Sequence, residues 1–137
     1  MPDVRVTMDL ADIDLDFVHR WLSEHSYWAR GRSRDVVEKA ARASLNFGAV
    51  DAEGRLVGYA RVGSDQVTFA WLCDVFVDPA VRGLGAGKAL VAAVVEVTRS
   101  MRLRRMLLST GDAHELYAQF GFEPIAEPVK FMALIAG

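Results

Sequence analysis

The sequence predicts an α+β domain, because two different hydrophobic spacings occupy separate blocks of the chain. Near the N-terminus and again after Gly85, apolar residues recur at helical intervals. Between those blocks, the apolar runs 47–50, 56–62 and 67–77 are joined by short polar turns, which marks antiparallel strands. With 137 residues and 52% apolar content, the chain is expected to form one domain, residues 1–137, around a single substantial core.

Taken in order, Val4, Val6 and Met8 alternate with Arg5 and Thr7, the period of a half-buried strand. From Asp12 or Asp14 the period becomes helical, with Ile13, Phe17 and Trp21 on one face and Val18 and Leu22 beside it, as far as about Ser23. Ser33 or Asp35 caps a second helix whose inner face is Val36, Val37, Ala40, Ala41 and Ser44. Asp51-Ala52-Glu53-Gly54-Arg55 is a hairpin turn, and Gly63-Ser64-Asp65 leads into the long third run.

Strict alternation in that run sends Val67, Phe69, Trp71, Cys73, Val75 and Val77 to one face and Thr68, Ala70, Leu72, Asp74 and Phe76 to the other. Asp74 interrupts an apolar face, so its carboxylate either opens onto a wet cleft or is hydrogen-bonded inside the core. Cys73 is expected to face away from it, with no basic neighbour, as a buried and inert thiol.

Leu90, Val94, Val97 and Met101, flanked by Val91 and Val95, mark a long helix that ends among Arg99, Arg102, Arg104 and Arg105. These cations suit the negative end of the helix dipole, or else a nucleotide 3′-phosphate. Residues 106–109 read as a short buried strand. Asp112 with Glu115 three residues on suggests a capping box for a last helix, in which Leu116 and Phe120 point inward and Gly121 closes the end. From Phe122 to the apolar stretch 131–135 the chain is expected to supply the final strands.

The most informative stretch is Asp74 to Lys88, which passes from a strand through a glycine-rich turn into the long helix. Gly83, Gly85 and Gly87 let the backbone take positive φ and approach a ligand closely. The helix starts at about Gly85, so its first N–H groups lack helical partners and share the positive end of the dipole. A phosphate or pyrophosphate fits there. Asp78-Pro79 stops the strand, and Arg82 and Lys88 flank the turn with positive charge.

Two familiar glycine motifs fail on spacing. A P-loop ending in Gly87-Lys88 would need Gly at 82 and a hydroxyl at 89, where Arg82 and Ala89 stand. A dinucleotide fingerprint from Gly83 would need Gly at 88, and one from Gly85 would need Gly or Ala at 90, where Lys88 and Leu90 stand. What remains is Val77-Asp78-Pro79 followed by Arg82-x-x-Gly85-x-Gly87, and downstream Ala113-x-x-x-Tyr117-x-x-x-Gly121-Phe122. In this order the two elements resemble the GNAT superfamily of acyl-CoA-dependent N-acetyltransferases.

That resemblance implies a three-layer α/β arrangement: a mixed, mostly antiparallel sheet with helices on both faces and a V-shaped splay between the fourth and fifth strands. It also implies acetyl-CoA as co-substrate, with the pyrophosphate on the amides of Gly83, Leu84, Gly85, Ala86, Gly87 and Lys88 and Arg82 beside it. The pantetheine arm would lie along Val75, Phe76 and Val77, near Thr110, at which position the superfamily often has Asn. Tyr117 matches the usual proton donor to the CoA thiolate. Asp74, with a pKa raised by partial desolvation, is the first candidate for general base and His114 the second. Between the first two helices, Tyr27 and Trp28 would pack on the acceptor and Arg30 or Arg32 would pair with an acidic group on it. A solvated basic loop pinned by the two aromatics is the alternative for that segment.

The function so implied is acetyl transfer to a primary amine of a small molecule or peptide within a ternary complex; the alternative is a non-catalytic acyl-CoA-binding sensor or interaction module. A net charge of −2 and a pI near 5.9 argue against a nucleic-acid surface. His19, His25 and His114 form no metal-ligand spacing with Cys73, so no metal is expected. The apolar run 89–95 stops at Glu96, short of the ~18 residues a membrane span needs. The start Met-Pro-Asp-Val-Arg lacks a secretory pattern and the one cysteine offers no intramolecular disulfide, which favours a cytoplasmic setting. A homodimer is a family-level expectation.

Overall fold

The computed structural model describes residues 4–81, 83 and 85–136. The chain runs β1 (Arg5–Thr7), α1 (Leu15–His25), α2 (Arg34–Arg42), β2 (Leu45–Val50), β3 (Leu56–Ser64), β4 (Phe69–Val77), α3 (Ala86–Ser100), β5 (Arg105–Leu108) and α4 (His114–Ala118). The strands form a sheet in the order β1-β2-β3-β4-β5, antiparallel from β1 to β4 and parallel between β4 and β5. No helix among the described residues is long and apolar enough to cross a membrane.

Two apolar clusters make the layers. On one face Leu90, Val91 and Val94 of α3, with Tyr117 of α4, pack on Phe47, Val62 and Leu72 of the sheet. On the other, Val18 and Leu22 of α1 and Val37 of α2 pack on Val50, Tyr59 and Phe76. This is the expected three-layer α/β arrangement, with helices on both faces of a mixed, mostly antiparallel sheet.

Local chemistry explains most boundaries. The Asp14 carboxylate accepts from the amides of Asp16 (3.0 Å) and Phe17 (3.2 Å), which starts α1. Ser33 Oγ accepts from Val36 N at 3.2 Å and starts α2. Val36 itself is exposed rather than inward, because the buried stripe of this helix is Val37 and Ala41, one turn apart. In the β2–β3 hairpin, Asp51 Oδ1 accepts from Glu53 N and Arg55 N, while Gly54 takes φ +81°.

Two expectations about the strands are corrected. The alternation through β4 is interrupted by a bulge: Tyr59 pairs with Phe76 and Arg61 with Cys73, so Ala60 opposes both Asp74 and Val75. Asp74 carries the strain, at φ +55°. The bulge brings Asp74 to the side chain of Arg61, with which Cys73 is paired, so Cys73 lines the same cleft as Asp74 and does not turn away from it.

The second correction concerns the C-terminus. After Phe122 no described residue is in a strand; a single 3-10 turn, Pro128–Lys130, is followed by chain without regular structure to Ala136. At the start of α4 the expected capping box is also absent. Ala113 is the N-cap, and it is Thr110 Oγ1 that accepts from Asp112 N (3.4 Å) and Ala113 N (3.1 Å). Gly121 does close this helix, at φ +95°, where Phe122 N reaches Tyr117 O and Gly121 N reaches Ala118 O.

Candidate functional site

The site begins where two parallel strands part. β4 pairs with β5 from Phe69–Arg105 to Leu72–Leu108 and then continues to Val77 paired only with β3, parting from β5 where the bulge at Asp74 bends it. The resulting V holds a cavity of about 510 Å³ with Asp74 and Val75 on one wall, Leu108 and Thr110 on the other, and Tyr27 and Tyr117 across it.

At the C-terminal end of β4 the glycine loop opens a second cavity, about 450 Å³, beside Val77, Gly83, Gly85 and Lys88. Gly83 (φ +91°) and Gly85 (φ +83°) occupy the left-handed region that side chains with a Cβ disfavour. Gly85 is the N-cap of the 15-residue helix α3, whose first backbone bond runs from Ala89 N to Gly85 O at 2.9 Å. The amides of Ala86, Gly87 and Lys88 precede that bond and have no helical acceptor. A Cβ at Gly87 would meet only Val77 and Leu116, at ordinary contact distances of 3.7 and 3.9 Å. Arg82 and Leu84, also assigned to this loop from the sequence, lie outside the described residues.

Asp74 is buried and fully engaged. Its carboxylate accepts from Trp28 Nε1 (3.0 Å), Arg32 Nη1 (2.8 Å) and Arg61 Nε (2.9 Å). Burial alone would raise its pKa, but the Arg61 and Arg32 guanidiniums and the indole N–H outweigh it and hold the carboxyl below its ordinary value. The raised pKa expected from the sequence is therefore overturned. Arg32, expected to meet an acceptor, is instead committed to Asp74, whereas Arg30 stands exposed.

Tyr117 sits on α4 with its ring edge-on to Phe122 at 5.8 Å. Burial, helped by the nearby Asp112 and Tyr27, pushes its phenol up to about 12, so the hydroxyl keeps its proton at neutral pH. Tyr27 Oη accepts from Gly111 N at 3.0 Å and so ties the α1–α2 loop to the loop before α4, across the mouth of the cleft. His114 is exposed and lines a different cavity, behind β5, which Tyr117 also touches. Thus Tyr27, Trp28, Asp74, Val75, Thr110 and Tyr117 converge on one cleft, and His114 does not line it.

Arg61 was not assigned to the site from the sequence, although a lone cation inside the apolar run 56–62 is a signal that it has a buried partner. It also donates to Ser44 Oγ at 3.1 Å, which links the cleft to the end of α2. Burial raises the Cys73 thiol pKa against the opposing pull of Arg61, so the thiol stays protonated although a cation adjoins it.

The acetyltransferase (GNAT) family model matches residues 15–122. A crystal structure of a GNAT-family protein from Xanthomonas campestris pv. campestris has a TM-score of 0.94 and 43% identity, covering 99% of this chain and 95% of that one. Rv2747 from Mycobacterium tuberculosis, solved in complex with CoA, has the same fold at a TM-score of 0.74 and 22% identity, over 88% of this chain and 72% of its own. Histone acetyltransferase TAP1 of Glycine max is 35% identical over 79 residues, 57% of this chain and 34% of its own length. The chain spans about a third of the length of that protein and of two other curated plant relatives. The match includes the bulged strand, the glycine loop and the helix bearing Tyr117, and the chain belongs to the acetyltransferase (GNAT) family.

Proposed function

We propose that this chain is an N-acetyltransferase that moves the acetyl group of acetyl-CoA directly to a primary amine. The observation that supports this reading is the succession of two cavities along β4: one beside Val77 that meets the free amides at the head of α3, and the cleft beside Val75 that meets the protonated hydroxyl of Tyr117. Acetyl-CoA supplies the acetyl group as an activated thioester. The amides from Gly83 to Lys88, with Arg82 and Leu84 completing the loop, would hold its diphosphate.

The unpaired edge of Val75, Phe76 and Val77 would take the pantetheine amides as an added strand, with the Thr110 hydroxyl opposite. The amide of Val75 would polarise the thioester oxygen. Tyr117 would deliver its proton to the departing thiolate sulfur. Asp74, ionised between two guanidiniums, serves here as a positioning residue that fixes Trp28 and Arg32. The ammonium proton of the acceptor, with a pKa near ~10, passes to water, since His114 stands behind Tyr117 rather than in the cleft.

A trough beside the cleft supports an acceptor of the opposite charge to the one Arg30 and Arg32 suggested. Beside the cleft lies a trough of about 560 Å³ bounded by Trp21, Tyr27 and Trp28 and by the carboxylates of Asp78 and Asp112. Aromatic faces with carboxylates favour a cation, so an amine with a second positive charge fits better than one with an acidic group. A panel of amines assayed for CoA thiol release tests this function, alongside CoA binding by calorimetry. Binding without turnover for any amine would support the non-catalytic acyl-CoA-binding alternative; absence of both would remove the reading altogether.

A further inference from the structure

We infer that the open sheet face at Phe69 and Trp71 is a platform for an apolar arm of the acceptor, so that the acceptor is a primary amine carrying an extended aromatic or aliphatic arm. This rests on the acetyltransferase reading above and adds a substrate class to it.

Alternation along β4 before the bulge makes the face. Ala70 and Leu72 are buried in the cluster beneath α3, so Phe69 and Trp71 point to the opposite side of the sheet, the side on which α1 and α2 lie. Those helices pack on Tyr59 and Phe76 and leave Phe69 48% and Trp71 42% exposed. The neighbouring strands keep the same stretch clear. Trp71 pairs with Gly63 of β3 and Leu107 of β5, and a Cβ built on Gly63 would meet nothing within 4 Å. Val67, 70% exposed, stands just before the two rings. Large apolar side chains gathered in this way on an open face mark a surface that binds something apolar.

The platform runs into the cleft. Trp71 is its last ring and also lines the cavity of about 510 Å³, where Cys73, Asp74 and Val75 follow it along the wall. From Phe69 to Val75 the strand covers about 20 Å, at ~3.3 Å per residue, so only an extended arm spans the distance. The trough that favours a cation lies past the other end of the cleft, at Asp78. An amine held beside Val75 thus has a polar side towards Asp78 and an apolar side towards Trp71. Charge separates the two directions as well. The cross-strand partner of Phe69 at the outer end is Arg105, and no carboxylate pairs with either ring, so a second ammonium is disfavoured on the platform.

Calorimetric titration of the full chain with a linear diamine, and with the same diamine bearing an N-phenylhexyl arm, tests the platform without depending on turnover. The armed amine is expected to bind at least about tenfold more tightly, the gain from covering a phenyl ring and part of a methylene chain. Phe69→Ser and Trp71→Ser, each with an unchanged far-UV spectrum, are expected to cut that advantage below about threefold. Equal affinity for the two amines, or an advantage that survives both variants, would overturn the platform. With acetyl-CoA added, the armed amine is expected to show the higher kcat/KM. Acetylation of the bare diamine with no gain from the arm would overturn the platform alone, whereas acetylation of neither amine would overturn the transferase reading and the acceptor role with it.

Discussion

Arg61 Nε and the Asp74 carboxylate meet at 2.9 Å beneath the cleft, in a pair whose side chains are only 19% and 3% exposed. The pair exists because of the bulge: with Asp74 at φ +55°, a residue that simple alternation sends to the other face turns onto that of Arg61. Arg32 completes the arrangement at 2.8 Å, so one buried carboxylate balances two guanidiniums.

Replacing Asp74 by Asn leaves both cations without a counter-charge. A loss of about 3 kcal/mol in unfolding free energy is expected, from the cost of breaking a buried ion pair on one side only. Urea denaturation measures it. A loss under about 0.5 kcal/mol, the level of an ordinary surface substitution, would mean that the network carries little of the fold.

The same group sets an acid limit. Because the folded pKa of Asp74 is lowered, its contribution is full above the unfolded carboxyl value of ~3.9 and is lost as pH falls through the folded value. Wild-type stability is therefore expected to drop below about pH 4, and the Asn variant to lack that component. At neutral pH the carboxylate does not titrate, so the pH profile of any acetyl transfer should keep its shape in the variant even where the rate falls. A basic-side rise that disappears in Asp74→Asn would instead restore the general-base role.

Tyr117→Phe removes one hydroxyl from a packed ring. If that hydroxyl supplies the thiolate proton, kcat falls about 10²-fold while CoA affinity changes less than about twofold. With the phenol at about 12, no break attributable to it is expected in the working range of the wild-type profile. Equal kcat in both proteins would take the acid role away from Tyr117.

The acceptor trough makes a comparison between two ligands of equal length. A linear diamine is expected to have a kcat/KM at least about fivefold above an ω-amino acid, one cation–carboxylate contact being worth on the order of 1 kcal/mol or more when partly desolvated. Asp112→Asn should narrow that ratio. Preference for the amino acid would contradict the charge argument while leaving acetyl transfer intact.

How far the sequence spoke for itself depended on whether the signal was local. The start of α1 at Asp14 and the cap at Ser33, each one of two candidates in the sequence, with the Asp51 hairpin and the helix after Gly85, are short-range chemistry and fall within what the residues allowed. The bulge was not legible, since nothing in Cys-Asp-Val-Phe announces an extra residue until β3 is laid beside it. That one residue redirected Asp74 and Cys73. Trp28, Arg32 and Asp74 were each singled out separately, but their mutual contact spans a separation of 46 and 42 positions along the chain and needed the fold. The apolar stretch 131–135 was read as a strand from its composition, and in the single chain it pairs with no strand.

The account turns on the amides at the head of α3, and calorimetric titration with CoA tests them most directly, comparing wild type with Gly85→Val. Gly85 holds φ +83°, which a β-branched side chain resists, whereas its substitution leaves Tyr117 and the cleft chemistry untouched. Saturable one-to-one binding by the wild type, weakened at least about tenfold in the variant, is the expected result. No heat from the wild type, or the same affinity in both proteins, would contradict it.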